Sequence, residues 1–197
     1  MLNQIKQKKT NKFINKNNIK KSIFLIRHGE CVSNVKWPIK NYQDSMDLLT
    51  PVGIKQINNC TRYFKKNFKN IKFKIITSTL TRAIQSGNII KTKIKAQLLK
   101  SDLRIVEKNH EEKFSTFKKR IKSFFKSRIK KNSGPYIIVT HGHLIETLLI
   151  LSINAKYQIK RRIDGTMGIA GIWGVHNGSI SAIIDGNFVF FNKCYNI

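Results

Sequence analysis

A chain of 197 residues, 41% of them hydrophobic, can bury a full core and is sized for one domain. Its net charge of +28, from 38 Lys and Arg against 10 Asp and Glu, favours anionic ligands, although the joint abundance of Lys, Asn and Ile is also what codon bias in an AT-rich genome produces. No apolar run reaches the roughly 18 residues of a membrane span, and Cys31, Cys60 and Cys194 form no CxxC pair, which argues against a disulfide framework and for a reducing compartment.

Residues 1–20 are basic, rich in Asn and free of acids, and lack the apolar centre of a secretory signal. They read as a solvated tail ahead of a single domain over 21–197, in a cytoplasmic protein. A mitochondrial leader is the weaker alternative, because Lys and Asn stand where Arg and Ser are usual. The first strand is expected over Ile23–Ile26. Residues 31–49, with Trp37-Pro38, read as a loop. A helix should start near Pro51, with Thr50 as its cap and proline at a position whose N–H would be unpaired anyway. Ile54, Ile57, Tyr63 and Phe64 then recur at helical spacing.

Phe73–Thr77 reads as a second strand and Thr81–Lys93 as a helix that buries Ala83, Ile84, Ile90 and Ile94. Leu98-Leu99 is a candidate short strand. From Glu111 to about Lys131 the chain is basic, yet Phe114, Phe117, Ile121, Phe124, Phe125 and Ile129 fall on one stripe. Asn109 with Glu112 three residues on resembles a capping arrangement, and Glu111 and Glu112 suit a first helical turn. Gly134-Pro135 breaks this helix. A third strand follows at Tyr136–Thr140 and a helix at Leu144–Ile153. His176-Asn177-Gly178 and Asp185-Gly186-Asn187 are hairpin signals. Strands alternating with helices predict a three-layer α/β/α, doubly wound, mostly parallel sheet, whose ligands sit beyond the carboxyl ends of its strands.

Three of those strand ends carry chemistry: Arg27-His28-Gly29, Ser78-Thr79-Leu80-Thr81-Arg82, and Thr140-His141-Gly142. Two histidines and two arginines gathered at one sheet edge make an anion site with a nucleophile in it. Guanidinium groups stay charged and match phosphate oxygens with paired hydrogen bonds. Neutral imidazole is a competent nucleophile near pH 7. His143 suggests half of a metal pair, but no Cys or His partner at ligand spacing accompanies it, so no metal site and no cofactor are expected.

The ordered blocks Leu25-Ile26-Arg27-His28-Gly29-Glu30, Leu49 to Gln56, Ser78 to Ser86, and Val139-Thr140-His141-Gly142 resemble the histidine phosphatase superfamily, the phosphoglycerate mutase-like group. Asn177-Gly178-Ser179-Ile180 resembles its late strand. The resemblance implies a phosphoglycerate mutase-like fold. It implies a metal-independent hydrolase of phosphate monoesters, phosphoproteins or acyl phosphates that passes through phosphohistidine on His28. Arg27, Asn34, Arg82, His141 and Gly142 would hold the phosphoryl group of an anionic substrate. Asn34 is equally suited to capping a local turn, and Glu30 to orienting its neighbours.

The leaving alkoxide needs a proton. The family places its acid as Leu-x-Glu after a short strand, but Leu103-Arg104-Ile105 puts isoleucine there. Glu107 is the first candidate acid and Asp102 the second. Relatives with mutase activity carry a longer lid between the arginine and second histidine blocks; with only 58 residues between Arg82 and His141, the resemblance implies a short lid, a site open to water, and hydrolysis favoured over a mutase-type transfer. The non-enzymatic alternative is a nucleic-acid-binding module on a decayed scaffold, using Lys118, Lys119, Arg120, Lys122, Lys126, Arg128, Lys130 and Lys131. Substrate identity and oligomeric state are not encoded in any readable motif.

Overall fold

The computed structural model describes residues 14, 18–36, 43–129, 133–152, 159–161, 167–169, 175–185 and 187–193, with side chains up to 148 and over 175–185. Trp37-Pro38, Lys130, Lys131, Ile153, Asp164, Gly186 and Cys194 therefore lie outside the described residues or side chains. Six strands, β1 (Ser22–Arg27), β2 (Lys74–Thr77), β3 (Gln97–Leu98), β4 (Tyr136–Thr140), β7 (Ile180–Ile184) and β8 (Asn187–Lys193), form one sheet in the order β3-β2-β4-β1-β7-β8. A separate pair is made by β5 (Ile159–Arg161) and β6 (Met167–Ile169). The ladders joining β3, β2, β4 and β1 are parallel, and β7 runs antiparallel to both its neighbours.

Four helices cover the sheet: α1 (Pro51–Asn67), α2 (Thr81–Ile94), α3 (Phe114–Arg128) and α4 (Gly142–Ser152). Side chains alternate across a strand, and the two cores follow from that. Phe24, Ile26, Ile75, Ile137 and Val139 pack on one face with Ile57, Phe64, Ala83 and Ile90. Leu25, Ile76 and Ile138 pack on the other with Phe117, Ile121, Phe124, Leu144 and Ile145. The architecture is the expected three-layer α/β/α sandwich.

Thr50 caps α1, its hydroxyl oxygen accepting the Gly53 N–H at 3.0 Å. The Phe stripe buries Phe117, Ile121 and Phe124, while Phe114 stays at the surface. Its helix is shorter than expected. It begins at Phe114 with Lys113 as N-cap, because Asn109 folds a separate turn by accepting the Glu111 N–H at 3.1 Å. Glu111 and Glu112 consequently precede the first turn and do not belong to it. Residues 31–49 contain a one-turn helix at Val32–Val35 and a 3₁₀ turn at Asp44–Met46, so they are not one open loop. Ile54 is exposed, and Ile84 and Ile94 are only partly covered. At the amino end, Ile14 and Ile19 are buried against the first core, so packing reaches back past position 21. β7 and β8 pair antiparallel, with Gly186 of the second signal outside the described residues, whereas His176-Asn177-Gly178 forms a turn that leads into β7.

One backbone contact positions the site. A Cβ built on Gly53 would lie 2.0 Å from the Glu30 carbonyl oxygen, and one on Gly29 would lie 2.4 Å from that of Gly53. The loop after β1 and the start of α1 touch main chain to main chain, which only glycine permits. Gly53→Ala should therefore lower the urea midpoint by more than Thr50→Ala, whose lost cap costs about 1 kcal/mol. Equal midpoints for the two variants would refute that close packing.

Candidate active site

Register brings the motifs together. Arg27 pairs with Thr140, and Thr77 with Val139, so β1, β2 and β4 end level. The next residues, His28, Ser78 and His141, stand side by side at the carboxyl edge. His28 N–H donates to Thr140 O at 3.0 Å, and Ser78 N–H to Val139 O at 2.9 Å.

His28 is buried, and its ring centroid is 5.1 Å from that of His141. Nδ1 is 2.8 Å from the carbonyl of Gly29. A carbonyl only accepts, so Nδ1 carries the proton and Nε2 keeps its lone pair. Arg82 Nε donates to that Nε2 at 3.2 Å. Burial, then the charges of His141, Arg27 and Arg82, hold the His28 pKa well below 6.5. The imidazole is neutral at pH 7.

His141 is fully buried. Its Nε2 lies 2.8 Å from Ser78 Oγ, which also accepts the Leu80 N–H at 3.3 Å. The hydroxyl has no other acceptor among the described residues, which assigns its proton to Nε2 and leaves Nδ1 protonated. That Nδ1 is buried without a hydrogen bond, 3.7 Å from Glu107 Oε2. Desolvation outweighs the nearby Glu107 carboxylate and lowers the His141 pKa to about 3, so this ring too is neutral. Arg27 donates through Nη1 to the Val175 carbonyl, while its Nε is buried and makes no hydrogen bond among the described residues. A Cβ on Gly142 would lie 3.8 Å from the Arg27 guanidinium, so the start of α4 rests on that group.

Two acids missed at the sequence level hold Arg82 in place. Asp47, buried, accepts Arg82 Nη1 at 2.9 Å together with the Ser33 N–H and hydroxyl, each at 2.9 Å. Asp44 lies 3.5 Å from the same Nη1 and accepts the Thr81 N–H and hydroxyl at 2.8 and 2.9 Å. No spacing rule marks either residue, because both come from the irregular segment before α1. Ser78 was read only as part of a motif. Glu30 accepts the Thr50 hydroxyl at 2.6 Å and serves the cap of α1.

Glu107 comes to the site. Ile105, in the family's acid position, is buried in the second core, and the Thr140 hydroxyl donates to its carbonyl at 2.7 Å. Two residues on, the Glu107 carboxylate lies against His141 and accepts from His143 Nδ1 at 3.0 Å. Burial raises its pKa, but the His143 hydrogen bond and the charges of His141, His143 and His28 bring it down to about 2. Asp102 is elsewhere. It accepts Arg104 Nη2 at 2.7 Å and lies 3.6 Å from Arg128 Nε. Asn34 is at the surface, its amide oxygen taken by the Cys31 N–H at 3.2 Å and Asn177 Nδ2 at 3.1 Å. Its own Nδ2 is not engaged within the described residues.

The basic face of α3 is partly turned inward. Arg120 donates to the carbonyls of Arg104, Val106 and Glu107 at 2.6, 3.0 and 3.2 Å, and pairs with Glu112 at 2.6 Å. Its guanidinium also sits 4.5 Å from the Phe117 ring centroid. One side chain thus fixes the segment that carries Glu107. No group of three or more His, Cys, Asp or Glu among the described residues is arranged to hold a metal ion. No helix among them is long and apolar enough to cross a membrane.

A buried neutral imidazole, ringed by cationic and neutral N–H donors at the carboxyl edge of an α/β/α sheet, is chemically suited to meet an oxyanion. Residues 23–108 match the family model described as Histidine phosphatase superfamily (branch 1). The match contains three of the four motif blocks, the fold brings the fourth beside them, and the resemblance to that superfamily holds. No curated protein matches the chain. Among solved structures, a mycobacterial glucosyl-3-phosphoglycerate phosphatase, solved in complex with VO3, is 15% identical with a TM-score of 0.61, covering 87% of this chain and 99% of its own. A phosphoglycerate mutase of Bacillus anthracis is 18% identical with a TM-score of 0.62, covering 85% and 89%. YhfR of Bacillus stearothermophilus is 18% identical with a TM-score of 0.59, covering 85% and 93%. At these identities the likeness is one of fold.

Two predictions follow from the geometry. Arg120→Met should speed hydrogen exchange of the amides at 104–108 while leaving those of β1 and β4 unchanged; uniform exchange would show that Arg120 does not hold the segment. The second concerns acid stability. Unfolded histidines protonate near 6.5, whereas the buried rings resist, so stability falls as pH drops from about 6.5 toward 3, by at most about 1.4 kcal/mol per unit and group. His141→Gln should flatten the fall of Tm over that range, and an unchanged slope would contradict a neutral buried His141.

Proposed function

We propose that the protein is a phosphatase that hydrolyses phosphate monoesters through a phosphohistidine on His28. One observation carries this reading: Arg27 Nε and the Nδ1 of His141 are buried donors with no hydrogen-bond partner among the described residues, beside a neutral nucleophile. Buried unpaired donors are costly. A phosphoryl group would satisfy both and would accept Arg82 Nε as His28 Nε2 is released to attack.

In the first step His28 Nε2 forms a bond to phosphorus as the ester P–O bond breaks, and the leaving oxygen takes a proton from Glu107. In the second, water attacks phosphorus, Glu107 takes its proton, the P–N bond breaks, and phosphate leaves. The guanidiniums of Arg27 and Arg82 and the N–H of His141 stabilise the charge on the transferring group, and each well-placed donor contributes about 3 kcal/mol. The solved phosphatase relative bound to VO3 supports an oxyanion in this pocket.

Acid-labile phosphate should be trapped on the wild type in the presence of chelator and should be absent from His28→Ala. Glu107→Gln should slow alkyl phosphate turnover by about 10²- to 10⁴-fold, and the first-turnover burst from 4-nitrophenyl phosphate, whose leaving group needs no proton, far less. Turnover by His28→Ala would refute the mechanism.

A further inference from the structure

Glu107 alone is a poor acid in the free protein, because the groups around it keep it ionised. A proton for the leaving group must then come from elsewhere, and the structure has one neighbour able to supply it. His143 Nδ1 is 3.0 Å from Glu107 Oε1, and the other carboxylate oxygen faces the His141 side of the pocket. The Glu107 carboxylate thus has His143 at one oxygen and His141 at the other. His143 is half-exposed and can exchange protons with water, whereas Glu107 is more deeply set.

We propose, resting on the phosphatase reading, that His143 is the proton reservoir for Glu107, so that the acid protonating the leaving oxygen is the Glu107–His143 pair. His143 is a positioning residue in this scheme, since it acts through Glu107. In the first step the His143 Nδ1–H proton passes to Glu107 through the 3.0 Å contact and on from Glu107 to the leaving oxygen as the P–O bond breaks, so that Glu107 ends the step ionised. His143 becomes neutral. In the second step the proton taken from water passes back through Glu107 to His143, which returns to its cationic form. No proton is gained or lost over the pair in one turnover.

The charged groups acting on His143 come from three elements: Glu107 from the segment after β3, Glu146 one turn along α4, and Arg27 from β1. The hydrogen bond to Glu107 is the largest influence and raises its pKa above 6.5, burial opposes it, the two carboxylates add to it, and Arg27 subtracts from it. The same contact therefore favours the cationic form of His143 and the ionised form of Glu107. Loss of the His143 proton should set the alkaline limb of the pH–rate profile.

The test compares wild type, His143→Gln and His143→Ala on an alkyl phosphate and on 4-nitrophenyl phosphate, across pH. His143→Gln should lose at least about tenfold more rate on the alkyl than on the aryl ester, and its alkyl optimum should move toward acid, where Glu107 can hold a proton unaided. Added imidazole should restore alkyl turnover to His143→Ala. An unchanged profile in His143→Gln, or an equal loss on both esters without imidazole rescue, overturns the reservoir while leaving the phosphatase reading intact if His28 is still phosphorylated. A wild type that forms no phosphohistidine on His28 overturns both.

Discussion

The parallel ladder between β1 and β4, with Arg27 opposite Thr140, is the constraint on which the rest depends. Two chain segments more than a hundred residues apart acquire a common end point from it. Every later feature of the pocket is fixed from that edge: His28 by the Thr140 carbonyl, Ser78 by the Val139 carbonyl, and the Glu107 segment by the Thr140 hydroxyl. A one-residue slip would turn each side chain to the opposite face and exchange the contents of the two cores. Both runs are apolar on both faces, so the register rests on how differently shaped side chains pack in the two cores, and that packing also aligns the two histidines.

Electrostatics in the pocket runs against the usual preference of proteins for paired charges. Burial drives both imidazoles to their neutral forms and lowers Arg27, and no carboxylate is supplied to Arg27 Nε. Two buried donors left without a hydrogen bond among the described residues cost stability at this edge. The large net charge of the chain matters less locally than its distribution suggests, because Arg104, Arg120 and Arg128 are engaged with carbonyls, hydroxyls and acids of the protein itself.

Much of this was legible in the sequence because the strands are apolar runs that stop at chemically distinctive residues. Arg27, His28, Arg82 and His141 could be named from those stops alone, and Thr50-Pro51 marked the start of α1. Glu107 was less legible. Its place depends on Ile105 turning into the core and on Arg120 gripping three carbonyls, and neither contact has a sequence period. Asp44 and Asp47 were hidden for the same reason, since an irregular segment places them. The Asn109–Glu112 spacing misled, because a capping pattern cannot tell a helix start from a free-standing turn whose acid is claimed by an arginine one layer away.

On the phosphatase reading, the tether of Arg82 to Asp47 bears on what would happen after the chemistry. A guanidinium facing only the pocket would hold a dianion tightly, and the freed product would linger. Here one of its nitrogens is already committed to a buried acid, so the grip on inorganic phosphate is weaker than a count of basic groups implies. Exchange of a spent anion for a fresh one is then eased by a residue that never meets either.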